Sequence, residues 1–210
     1  SDKTGTITKG EMEVVQFFSG DGTIIDTKQI NNYPDIREKL HVAIGKNTSS
    51  MFDEHHRVIS GNATDQALMK FLGEDSYLKM KEDPSLEVFA SQKFNSSNKF
   101  SQAQIGGLTY YKGAPERLLQ KADRYMGTDG QFHPLDLSCI NQRIDTLAKK
   151  AMRVIAFGYS EEPLQENCIS GNLVLIGLAA IRDDVRPEAR IAIHDVQKAG
   201  IQVVMITGDR

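Results

Sequence analysis

The chain has 210 residues, 40% hydrophobic and 25% charged, with a net charge of −3. That length admits one large domain or two small ones, the composition is that of an ordinary globular protein, and no basic footprint points to nucleic acid. Two cysteines, Cys139 and Cys168, supply neither a disulfide framework nor metal-ligand spacing, and the longest apolar run, residues 173–181, is too short to cross a bilayer.

Residues 11–18 alternate weakly, through Met12, Val14, Phe17 and Phe18, and Asp21-Gly22 marks a turn before Ile24-Ile25, so a hairpin is predicted. Pro34 opens a helix carrying Ile36, Leu40, Ala43 and Ile44, which Gly45 stops. A second helix is predicted over 62–72, with Asn62 as N-cap, Asp65 three residues on and Gly73 as terminator. Residues 86–94, 99–105 and 108–112 read as strands, the last two joined by Gly106-Gly107. Pro115 starts a short helix reaching Ala122, residues 137–150 read as helix, and 152–159 and 173–181 as strands. A β-α-β unit is predicted to close the chain. Its helix starts at Pro187, lines one face with Ala189, Ala192, Ile193 and Val196, and ends at Gly200. Residues 201–206 would be its second, parallel strand.

The chemistry concentrates at the two ends. Asp2-Lys3-Thr4-Gly5-Thr6 sets a carboxylate beside a cation, two hydroxyls and a glycine. A carboxylate can attack a γ-phosphoryl group to form an acyl phosphate, and the transferring group needs nearby cations and N–H donors. Thr207-Gly208-Asp209 would sit at the carboxyl end of a parallel strand, where open α/β sheets bind ligands. Between them, Lys112-Gly113-Ala114-Pro115-Glu116 reads as a strand-to-helix turn, and Phe94-Asn95-Ser96-Ser97-Asn98-Lys99-Phe100 offers an aromatic face beside a lysine. His55-His56, with Asp53 and Glu54, lacks a partner at ligand spacing and reads as a solvated loop.

Taken in order, these runs resemble the P-type ATPases of the calcium and sodium–potassium pump branch. The first matches the phosphorylation loop, with Ile7 where Leu is usual. Lys112 to Glu116, the Phe94 run, Gly61-Asn62-Ala63-Thr64-Asp65-Gln66-Ala67-Leu68, Met152-Arg153-Val154 and Asp183-Asp184-Val185-Arg186 resemble segments of the nucleotide-binding region. Two departures stand out: Asp65 replaces a Glu that accepts from the adenine amino group, and both prolines of the Asp-Pro-Pro-Arg run are lost. Soluble haloacid-dehalogenase-like phosphatases carry a second Asp where this chain has Thr4, which argues against that alternative. A pure nucleotide-binding module is the other.

The resemblance implies an α+β fold. A mostly antiparallel sheet flanked by helices (residues 12–170) would be inserted between haloacid-dehalogenase-like α/β flanks (1–11 and 171–210) of a phosphorylation domain. It implies ATP and Mg²⁺ as cofactors. The catalytic set would be Asp2, Lys3, Thr4, Thr207 and Asp209, with Asp2 and Thr4 on the metal. The nucleotide would be held by Asp65, Phe94, Lys99, Lys112, Gly113, Arg153, Asp183 and Arg186. The expected partners are ATP and the rest of a pump, its transmembrane and actuator domains, with this portion monomeric on the cytoplasmic side of a membrane. A chain that opens on its own phosphate-accepting loop reads as part of a longer protein.

Overall fold

The computed structural model describes residues 3–205, and for Lys3 and Thr4 only the backbone. A single π-helical turn, Lys3–Ile7, leads into strand β1, Thr8–Phe18, and β2, Ile24–Ile25, closes the predicted hairpin. Helix α1, Pro34–Gly45, starts at its proline and buries Ile36, Leu40, Ala43 and Ile44. Strands β3, Met51–Phe52, and β4, Val58–Ile59, form a separate two-stranded ribbon. Helix α2, Ala63–Leu72, is capped by Asn62, whose Oδ1 accepts the Asp65 N–H at 2.9 Å. Gly73, at φ +81°, ends α2 and starts α3, Glu74–Glu82, a helix absent from the sequence reading.

Strands β5, Val88–Gln92, β6, Phe100–Ile105, and β7, Leu108–Gly113, follow as expected. Helix α4, Pro115–Leu119, stops short of Ala122, which instead begins strand β8, Ala122–Met126. Then come β9, Phe132–Pro134, α5, Leu137–Ala148, β10, Arg153–Ser160, β11, Leu173–Val185, and α6, Pro187–Lys198. The main sheet runs β2-β1-β11-β10-β7-β6-β5, antiparallel throughout, and β8 adds one parallel pairing to the start of β11.

Both faces of this sheet are covered, which is why β11 reads as an unbroken apolar run. Helices α1 and α2 pack on one face with Phe17, Phe157, Ile176, Ala179 and Ile181. Leu118 and Leu119 of α4 and Ile140 and Leu147 of α5 pack on the other with Phe18, Ala156, Leu175, Leu178 and Ala180. Along β11 the face assignment flips once. Leu173 and Leu175 point to the α4/α5 side, but beyond Gly177 so do the even-numbered Leu178 and Ala180. The pairing with β10 slips at this point, from Phe157↔Gly177 to Gly158↔Leu175. One extra residue in a strand exchanges its faces. A second slip, between Val14 and Gln16 of β1, does the same there.

The predicted closing β-α-β unit does not form among the described residues. Helix α6 buries none of its residues, and residues 201–205 make no strand, with Ile201, Val204 and Met205 more than half exposed. An apolar strand is stable only against a sheet that accepts its backbone groups. No strand of the described sheet pairs with residues 201–205. Among the described residues no helix is long and apolar enough to cross a membrane.

His41 on α1 is partly buried, and desolvation, helped by the Arg37 guanidinium one turn away, lowers its pKa to about 4. An unfolded histidine titrates near 6.5, so the unfolded chain binds more protons between the two values. Stability from this group is full above pH 6.5 and is lost as pH falls toward 4. Between pH 7 and pH 5 denaturant unfolding should lose about 2 kcal/mol from this source. His41→Gln should remove that part of the loss.

Candidate functional site: a cleft over a buried ion pair

Lys112 lies on the interior strand β7, facing the side covered by α1 and α2, and its side chain is only 6% exposed. A buried ammonium needs a partner and hydrogen-bond acceptors. Its Nζ donates to Asp65 Oδ1 at 2.5 Å and to the Asn47 carbonyl at 2.6 Å. Burial pushes the Lys112 pKa down, and the Asp65 charge and hydrogen bond pull it back up. The other Asp65 oxygen accepts from the Ser49 N–H at 3.3 Å and Asn62 Nδ2 at 3.4 Å. Asp65 therefore serves the ion pair, while the helix cap is left to Asn62.

Above this pair opens a cleft of about 770 Å³. Its walls are the start of α2, the loop bearing Phe94 and Lys99, the turn from Lys112 through Glu116, and the start of β10 at Arg153. Phe94 is 52% exposed, so a ring face is available to a ligand. Lys99 Nζ sits 3.1 Å from Glu116 Oε1, with both side chains more than half exposed. Such a pair is weak, and the lysine is readily shared with an anion. Arg153 Nη1 donates to Thr64 Oγ1 at 2.8 Å, which ties β10 to the first turn of α2.

The glycine of this turn also serves the sheet. A Cβ on Gly113 would lie 2.5 Å from the Lys99 carbonyl and 2.6 Å from Phe100 Cβ. Its missing side chain thus allows β6 to pair closely at Phe100↔Gly113. Gly113 still lines the cleft.

Five of the expected nucleotide residues thus come together: Asp65, Phe94, Lys99, Lys112 and Arg153, with Gly113 beneath them. Asp183 and Arg186 do not join them. Asp183 accepts from Thr8 Oγ1 at 2.6 Å and the Gly10 N–H at 3.0 Å. Arg186 donates to the carbonyls of Thr8 (3.0 Å), Gly5 (3.3 Å) and Lys9 (3.4 Å). Together they fasten the backbone that follows the Asp2 run. Asp2, Thr207 and Asp209 lie outside the described residues, as do the side chains of Lys3 and Thr4. His56 Nδ1 bonds Glu74 at the start of α3, and Asp53 is held by Arg57.

The sequence reading missed Asn47 and Ser49, whose backbone groups complete the ion pair. It also passed over Thr64 and Glu116, although both stand inside runs it singled out. The lining holds no carboxylate without a partner, since Asp65 serves Lys112 and Glu116 faces Lys99. The cleft thus brings an exposed aromatic face, two cationic side chains and a buried ion pair onto one surface.

Residues 36–188 match the family model described as P-type ATPase, cytoplasmic domain N. Across its whole length the chain is 33% identical to plasma membrane calcium-transporting ATPase 3 of Homo sapiens, of which it covers 19%. It is 30% identical to the plasma membrane-type calcium-transporting ATPase 7 of Oryza sativa and 28% identical to calcium-transporting ATPase 1 of Saccharomyces cerevisiae, covering 22% and 25% of them. The antiparallel sheet with its two helical layers is consistent with this cytoplasmic domain N. The chain belongs to the P-type ATPase family, and it spans about a fifth to a quarter of the length of these relatives.

Breaking the buried pair from one side leaves an uncompensated charge. Lys112→Met or Asp65→Asn alone should lower unfolding free energy by about 3–5 kcal/mol. The double variant, which removes both charges, should recover most of that loss in the same denaturant titration.

Proposed function

We propose that the cleft binds ATP, the adenine stacked on Phe94 and the phosphates directed toward Lys99 and Arg153. The observation that carries this reading is the half-exposed Phe94 ring set beside two cationic side chains over the buried Lys112–Asp65 pair. Stacking of a nucleobase on an aromatic side chain contributes roughly 1–3 kcal/mol. The adenine amino group finds a poorer acceptor in Asp65 than a free carboxylate would be, because its oxygens already serve Lys112, Ser49 and Asn62.

In the longer protein, Asp2 is the acceptor. A carboxylate oxygen attacks the γ-phosphorus, the bond to the β–γ bridging oxygen breaks, and ADP leaves. Water later cleaves the acyl phosphate and returns the carboxylate with free phosphate. Thr207, Asp209 and Lys3 assist, and Asp2 and Thr4 would hold Mg²⁺, which would offset charge on the transferring group. Residues 1–11 and the chain beyond β11 would belong to the phosphorylating part, while β11 itself lies inside the main sheet and goes with the nucleotide-binding part. A membrane portion would couple this cycle to cation transport, calcium being the ion named in the relatives. This part would work on the cytoplasmic side.

The nucleotide site is tested by ATP titration of this chain followed by amide chemical shifts. Phe94→Ala should weaken binding about 5- to 100-fold with the fold intact, and unchanged affinity would reject the site. For the acceptor, label from γ-labelled ATP should be acid-stable, lost in hydroxylamine, and absent from Asp2→Asn of the longer protein.

A further inference from the structure

Asn167 lies outside every run singled out in the sequence. Its backbone is left-handed, at φ +60°, a conformation asparagine tolerates better than most residues. Its N–H donates to Gln92 Oε1 at 2.8 Å. The same oxygen accepts from Nε2 of the fully buried Gln102 at 2.7 Å, and that nitrogen also donates to the Gln165 carbonyl at 2.7 Å. Backbone atoms at two points thus dictate which end of each amide is oxygen and which is nitrogen. With those assignments fixed, Gln92 Nε2 and Asn98 Nδ2 both donate to Asn167 Oδ1, at 2.7 and 2.5 Å.

Gln92 ends β5, Asn98 precedes Lys99, and Phe94 lies between them. One side-chain oxygen therefore holds both ends of the loop that carries the aromatic ring. Within the loop, Asn95 accepts from the backbone N–H groups of Asn98 and Lys99. The Lys99 carbonyl accepts from the Ala114 N–H at 2.9 Å, on the opposite wall of the cleft. Phe94 is half exposed, so its ring direction depends on how the loop backbone is held more than on packing.

We propose that Asn167 is a positioning residue for the nucleotide: its side-chain carbonyl latches the 93–98 loop so that Phe94 presents its ring to the base. This rests on the reading of the cleft as an ATP site. An unlatched loop must be ordered as the base binds, and that ordering subtracts from affinity.

The experiment is an ATP titration of this chain, Asn167→Gly, Asn167→Asp, Phe94→Ala and the Asn167→Gly/Phe94→Ala pair, with thermal midpoints recorded for each. Glycine keeps the left-handed backbone and removes the oxygen; aspartate keeps an acceptor in its place. Asn167→Gly should weaken ATP binding about fivefold, the loss of two surface hydrogen bonds, and Asn167→Asp should restore it to within about twofold. In the Phe94→Ala background, Asn167→Gly should change affinity by less than about 1.5-fold, because the latch acts through the ring. The full fivefold loss persisting in that background would show general loosening and overturn the latch. Unchanged affinity in Asn167→Gly, alongside a loss in Phe94→Ala, overturns the latch and leaves the ATP site standing. Unchanged affinity in Phe94→Ala overturns both. Should Asn167→Gly fail to fold, Asn98→Ala removes one of the two donors and should weaken binding in the same direction, again only while Phe94 is present.

Discussion

The Lys112 ammonium is buried beneath α2, and its charge is held there because Asp65 and the Asn47 carbonyl converge on it. That contact joins the interior strand β7 to the first turn of α2 and to the end of α1. The first turn of α2 is one wall of the cleft, and the turn after Lys112 is another. A single desolvated pair therefore sets the spacing of the two walls, and it does so with a directional bond where apolar packing alone would tolerate sliding. The cost is chemical: Asp65 has little left to offer a ligand.

The sheet supplies the second constraint. Two bulges, one in β1 opposite Ala180 and Ile181 and one in β11 next to Gly177, each exchange the faces of their own strand. Either side of each slip, the apolar residues still face the two cores. An isolated slip would have turned Phe17 or Ile181 toward the wrong layer. The bulges also explain why residues 11–18 alternate only weakly. Phe17 and Phe18 are adjacent, and both are buried, each in a different core.

Much of the fold was legible because its signals are local. The Pro34 and Asn62 starts, the Gly106-Gly107 turn and the apolar run of β11 each carry their reason within a few residues. Helix α3 was not legible, since it is mostly charged and buries only Met80. The cleft was legible through Phe94, Lys99, Lys112 and Arg153, whose chemistry is written in short runs. Asn47, Ser49 and Asn167 were invisible because backbone carbonyls, N–H groups and loop amides acquire meaning only when the chain brings them to a distant partner. The closing strand failed for a similar reason: apolar composition at 201–205 states a preference for a sheet but cannot say which sheet.

The register also constrains how the proposed phosphoryl transfer could take place. Arg153 pairs with Ile181, and Thr8 pairs with Val185. Four residues along β11 and two strand spacings across put Thr8 roughly 16 Å from Arg153. A nucleotide laid, as proposed, from Phe94 toward Arg153 would end about that far from the start of β1. Rotamer changes do not close such a gap. Asp183 and Arg186 bond the backbone of residues 5–10 to the end of β11, so this segment cannot swing alone without losing those bonds. Beyond Arg153, however, β10 ends, and only β1 and β11 continue, as a two-stranded ribbon. It carries a further bulge between Thr8 and Met12, with Gly10 at φ +74°. Two-stranded ribbons twist more easily than wide sheets, and a bulge concentrates bending. The ribbon is thus where residues 5–10 can move relative to the cleft, bending as a unit with its fastening bonds kept.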